Sequence, residues 1–100
     1  MMASDEDEVE VVRDYRREDS EGNIIRVKIL QVPESEKFPE GVKYRLHYGT
    51  KADETLLRYD NSHGVHERHR GDEVELIEFP GIAPLYERFR EEITTIDGGN

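Results

Sequence analysis

The chain has no cysteine and no tryptophan among its 100 residues, and only two methionines and four prolines. Without cysteine there can be neither a disulfide framework nor a thiolate zinc site. Apolar residues are also scarce, at 34% against about 45–50% in ordinary globular domains. The core is therefore thin, and a helical bundle with several apolar faces is disfavoured. No apolar run approaches the length of about 18 residues that a membrane helix needs. The segment Met1 to Glu8 is acidic where a signal peptide would be basic and then apolar. These features predict a cytoplasmic protein with no membrane span. They also predict a single domain over residues 9–97, with a disordered acidic start at 1–8 and a disordered tail at 98–100.

Charge is what the chain has in excess: 38% of residues are charged and the net charge is −10. Taken whole, this argues against a simple nucleic-acid binder. The distribution is uneven, however. Residues 1–41 carry 12 acids and 6 bases, and residues 71–100 carry 8 acids and 2 bases. Residues 42–70 carry 6 bases and 4 acids and contain all four histidines. A halophilic-type surface, built for solubility where salt screens charge within about 3 Å, accounts for the acidic flanks. It leaves the cationic middle unexplained, and that middle is suited to meeting an anion.

The chain reads as strands followed by one helix. Val9, Val11 and Tyr15 share a strand parity, and Asp19 to Asn23 is a turn cluster. Ile24 to Val32 is a β-branched strand. Val42 to Tyr48 alternates strictly, Thr55 to Asp60 forms the next strand, Asn61 to Asp72 is a polar loop, and Glu73 to Phe79 is a short strand. From Ile82 the period becomes helical, through Leu85, Tyr86, Phe89, Ile93 and Ile96. The expected fold is α+β: an antiparallel meander of about five strands with one C-terminal helix packed on one face.

The central hairpin has one register that keeps Tyr44, Leu46 and Tyr48 on the same face as Leu57 and Tyr59; a slip of one residue exposes half of them. It pairs Tyr48 with Leu57 and Leu46 with Tyr59, and places residue 50 opposite 55 around the loop 51–54. On the other face His47 then opposes Arg58, and Arg45 opposes Asp60. The loop leaving Asp60 adds His63, His66 and His69, with Arg68 and Arg70, and all of these are expected to meet on one rim. An ordinary solvated sheet face with an Arg–Asp pair is the plain alternative.

Three imidazoles at a spacing of three residues invite a zinc reading, but Arg68 and Arg70 would repel a cation, and no metal or other cofactor is expected. Anion chemistry without metal fits better. Arginine offers a bidentate fork to phosphate, and histidine can act as base or acid near neutrality. RNA carries its own nucleophile, the 2′-hydroxyl, so its cleavage needs only a base, an acid and cations for the phosphate charge. No phosphate-binding loop, dinucleotide fingerprint, nucleophile elbow or zincin motif is present.

The strand Tyr44-Arg45-Leu46-His47, the string Arg58-Tyr59-Asp60-Asn61 and the loop His63-Gly64-Val65-His66-Glu67-Arg68-His69 together resemble the TumE family, toxin components of toxin–antitoxin systems. That family has an Arg-Tyr-Asp-Asn motif at a strand end, a His-rich turn and a short C-terminal helix. The resemblance extends in organisation over about residues 24–93. It implies a growth-inhibiting protein held in check by an antitoxin partner. Taken with the residue chemistry, it points to an RNA-directed activity, with a ribonuclease as the candidate enzyme. His47, Arg58, Asp60, His63, His66 and His69 are the catalytic candidates, and Arg45, Asn61, Arg68 and Arg70 the substrate-binding ones. The rival is a non-catalytic module whose cationic, His-rich face docks an acidic partner or a second copy of the chain.

Overall fold

The computed structural model describes residues 9–98. The segment 1–8 and residues 99–100, expected with Gly98 to be disordered, lie outside the described residues, whereas Gly98 is the last residue of the helix. Six strands pair in chain order as one antiparallel meander: β1 (Glu10–Glu18), β2 (Ile24–Gln31), β3 (Val42–Gly49), β4 (Thr55–Asp60), β5 (Glu67–Arg70) and β6 (Glu73–Leu76). One helix, α1 (Ile82–Gly98), covers one face of this sheet. The class is α+β, with six strands rather than about five.

Alternation on β2, β3 and β4 builds the core. Ile25, Val27 and Ile29 lie beside Tyr44, Leu46 and Tyr48, and then Leu57 and Tyr59, all of them buried. Leu85 and Phe89 of α1 close over them and are fully inaccessible. Burying a side chain of this size contributes about 1.5–3 kcal/mol, so two helix residues anchor much of α1. Phe89 meets the Tyr59 ring edge-on at 6.3 Å.

The register of the central hairpin is the one the alternation predicts: Leu46 opposes Tyr59, His47 opposes Arg58 and Arg45 opposes Asp60. Its turn end differs. Gly49, not residue 50, is the partner of Thr55, because the ladder shifts between Tyr48 and Gly49. A Cβ on Gly49 would sit 2.7 Å from the Glu54 carbonyl oxygen and 2.8 Å from His47 Cε1. Only glycine lets the strand end there with the imidazole folded over it.

Two further expectations are corrected. Val11 does not share a face with Tyr15, because the register shifts between Val11 and Arg13, and Val11 is exposed. The loop expected over residues 61–72 contains β5, which pairs with both β4 and β6. Glu67-Arg68-His69-Arg70 has no apolar residue to alternate, so side-chain pattern could not reveal it. The available signal was Gly71-Asp72, a two-residue hairpin turn with Gly71 at φ 58°.

Candidate functional site on the open sheet face

The face of the sheet away from α1 carries two rows of side chains running across the strands. One row is Arg26, His47, Arg58 and His69, on β2 to β5. The other is Lys28, Arg45, Asp60 and Glu67. Neighbours within a row have Cβ atoms about 4.5–5.5 Å apart. The turns and the core set this order: every helix-facing residue that is buried forces its strand neighbour outward.

Arg58 is the centre. Its Nε lies 2.9 Å from Asp60 Oδ2, and Asp60 is 3% exposed. The guanidinium N–H is not aimed along that contact, so the ion pair forms without a true hydrogen bond. Ser62 N and Ser62 Oγ both donate to Asp60 Oδ1, at 3.4 and 3.3 Å. On its other side Arg58 Nη2 is 3.4 Å from His69 Nδ1 and 3.2 Å from Nε2. His69 Nε2 is also 3.1 Å from Glu67 Oε1. A carboxylate only accepts, so in the neutral ring Nε2 carries the hydrogen and Nδ1 is the atom open to Arg58.

His47 flanks Arg58 on the opposite side, with Nε2 3.1 Å from Thr55 Oγ1. Its pKa is lowered, first by desolvation and then by the charges of Arg45 and Arg58, against a smaller opposing pull from Asp53. The imidazole is therefore neutral at pH 7 and able to accept a proton. This has a stability consequence of fixed sign. The unfolded chain takes up a proton near pH 6.5 while the folded ring does not, so stability falls as pH drops below that value until the folded ring also titrates. The urea midpoint of the parent should thus fall more between pH 7.5 and 5 than that of His47→Gln. Equal falls would show that the folded environment of His47 does not disfavour the charged ring.

The ten candidate site residues are divided by the sheet. Arg45, His47, Arg58, Asp60 and His69 share the open face. Arg68 and Arg70 point to the helix side, opposite Tyr59 and Leu57. There Arg68 forks onto Glu92 of α1 through Nε and Nη2 and pairs with Glu75 at 2.9 Å, and Arg70 lies 3.8 Å from Glu92. Tyr59 donates its hydroxyl to Glu92 as well. Burial works against the Glu92 carboxylate, but the bonds from Arg68 and Tyr59 outweigh it and hold its pKa below the usual value. Burial and Glu92 together push the Tyr59 phenol up to about 12.

His66 is also on the helix side, stacked 4.5 Å from Phe79 and 5.7 Å from Tyr44. Its Nε2 faces Glu40 at 3.2 Å and its Nδ1 meets Tyr44 Oη at 2.8 Å. Burial raises the Tyr44 pKa, so the phenol stays protonated and donates to His66 Nδ1. His63 is exposed in the β4–β5 connection. Asn61 is buried, and its amide is fully used by the backbone of β3. Among the described residues no three His, Asp or Glu side chains are grouped so as to hold a metal ion.

Sequence reasoning missed the contribution of β2. Arg26 opposes His47, and Lys28 opposes Arg45. With Lys43, the open face of β2 and β3 carries four cations and no carboxylate. The signal was present in the charged alternate positions of Ile24 to Gln31, had that strand been given a face.

A six-stranded antiparallel sheet with one covering helix and a cationic open face defines a small α+β domain. The chain belongs to the Toxin TumE family, whose model matches residues 3–97. It is accordingly a toxin-like component of a toxin–antitoxin system, a class that implies an antitoxin partner. No curated protein matches the chain, and no solved structure does. No helix among the described residues is long and apolar enough to cross a membrane.

Proposed function

We propose that the toxin cleaves RNA without a metal ion, at the row His47–Arg58–His69. One observation carries this reading: two imidazoles flank a single guanidinium on three adjacent strands. Arg58 binds the scissile phosphate. His47, neutral at pH 7, takes the proton of the 2′-hydroxyl as its oxygen attacks phosphorus. The bond from phosphorus to the 5′-oxygen breaks, and His69, acting as imidazolium with its Nε2–H held by Glu67, gives its Nδ1 proton to the leaving oxygen. The products are a 2′,3′-cyclic phosphate and a 5′-hydroxyl. Asp60 holds Arg58 in place against the phosphate charge.

The test uses purified toxin, single-stranded RNA and a chelator. Cleavage with 2′,3′-cyclic phosphate ends is expected, together with loss of intact RNA when the toxin arrests growth in an induced host. Growth arrest with RNA left intact in both assays would overturn the reading. The shallow, open shape of this face favours a second reading, in which it only docks an acidic partner. Arg58→Lys separates the two, because it keeps the charge and removes the fork: a docking face tolerates it and a phosphate clamp does not.

A further inference from the structure

We infer that Lys28 and Arg45 form a second phosphate subsite beside the row of Arg58, and that the substrate is a single-stranded polyribonucleotide laid across β3 and β2. This rests on the cleavage reading for the scissile position but not for the binding itself.

Lys28 and Arg45 are directly opposed on neighbouring strands, an arrangement that is unfavourable for like charges. The protein has 24 acidic residues, yet among the described residues neither cation has a carboxylate partner. Asp60 lies opposite Arg45 and Asp14 lies opposite Lys28 in the ladder, but Asp60 sits against Arg58 and Ser62 and Asp14 pairs with Arg26 at 2.6 Å instead. Both side chains are exposed. Two shallow depressions meet at this pair. One, of about 330 Å³, is lined by Arg26, Lys28, Arg45 and His47. The other, of about 240 Å³, includes Lys28, Lys43, Arg45 and Ser62. An unpaired, like-charged pair lining two hollows is satisfied by an anion.

The spacing selects the anion. Arg45 is two residues from His47 on β3, so the subsite lies about 6–7 Å along the strand from the His47–Arg58 row. That is close to the step between consecutive phosphates of an extended single strand. No Phe or Tyr side chain projects from the open face of β2 or β3, so bases have no aromatic platform and recognition is by backbone charge. Little sequence preference should follow.

The experiment measures binding of a 2′-O-methyl RNA 12-mer, which cannot be cleaved, over a salt series, with parent toxin and the doubly substituted Lys28→Gln, Arg45→Gln variant. The variant should bind the 12-mer about tenfold more weakly at low salt. Its salt slope should be shallower by about 1.4, the value for two contacts to a single strand. A 2′-O-methyl dinucleotide with one phosphate should bind both proteins alike. Equal weakening for the two ligands, no weakening, or equally tight binding of duplex RNA would overturn the subsite. So would polyglutamate binding as tightly as the 12-mer with the same loss in the variant, which would assign the face to an acidic protein. If natural RNA is bound with this dependence but left intact, the cleavage reading fails and the subsite stands.

Discussion

His47→Ala and His69→Ala should each lower RNA cleavage by about 10²–10⁴-fold, the ordinary contribution of a general base or acid. His66→Ala, by contrast, should leave cleavage by the folded protein unchanged. All three histidines come from the same short stretch of sequence, but the sheet separates them. His47 and His69 stand on either side of Arg58 on the open face. His66 is packed on Phe79 behind Tyr44 on the helix side. Its loss removes a stacked ring and the acceptor for a buried phenol, so it should cost stability, by about 1–3 kcal/mol. Arg58→Ala removes charged hydrogen bonds of about 1.5–3 kcal/mol each, or roughly 10–150-fold in rate. Arg58→Lys should recover little of it. Because the His47 pKa is lowered, the acidic limb of the parent's pH–rate profile should fall below pH 6.5, and it should disappear in His47→Ala. The assays are initial cleavage rates and growth arrest on induction. Full activity in both His47→Ala and His69→Ala, with folding intact, would remove the row from the mechanism.

How much of this was legible in the sequence depends on where burial disciplines the pattern. Tyr44, Leu46 and Tyr48 alternate with charged residues, and only one register with Leu57 and Tyr59 buries them all. The opposition of His47 to Arg58 followed by arithmetic and stands in the ladder. Where burial imposes no pattern, the reading failed. β5 is polar at every position because its helix-facing side meets Glu92 rather than an apolar side chain, so its sequence reads as a loop. His66 then reads as a neighbour of His69, although it lies before the strand begins. β2 failed differently. Its core-facing Ile25, Val27 and Ile29 were recognised as apolar, but Ile24 and Leu30 lie on the other face, which blurs the alternation and hid Arg26 and Lys28. The shift at Val12 belongs to the edge strand, where no partner on the far side enforces regular pairing.

Asn61→Ala should destabilise the fold by about 2–6 kcal/mol, because it leaves two buried backbone groups without partners at about 1–3 kcal/mol each. β4 ends at Asp60, opposite Arg45, so the backbone of β3 beyond Arg45 has no strand to bond on that side. Asn61 stands in for it. Its Oδ1 accepts from Tyr44 N at 2.9 Å, and its Nδ2 donates to the Val42 carbonyl at 2.8 Å. The amide is 1% exposed, so neither atom can reach a substrate. This explains the last residue of the Arg58-Tyr59-Asp60-Asn61 string as the clamp that fixes the strand end, and with it the position of Asp60 under Arg58. A domain of this size has about 5–15 kcal/mol of stability in all, so the thermal midpoint should fall by roughly 10 °C or more. Asn61→Asp should be no better: it keeps the acceptor for Tyr44 N–H but sets a carboxylate against the Val42 carbonyl, burying a charge without a partner. Cleavage per folded molecule, measured well below the midpoint, should change far less than in Arg58→Ala. An unchanged midpoint with lost cleavage would move Asn61 from the scaffold to the substrate.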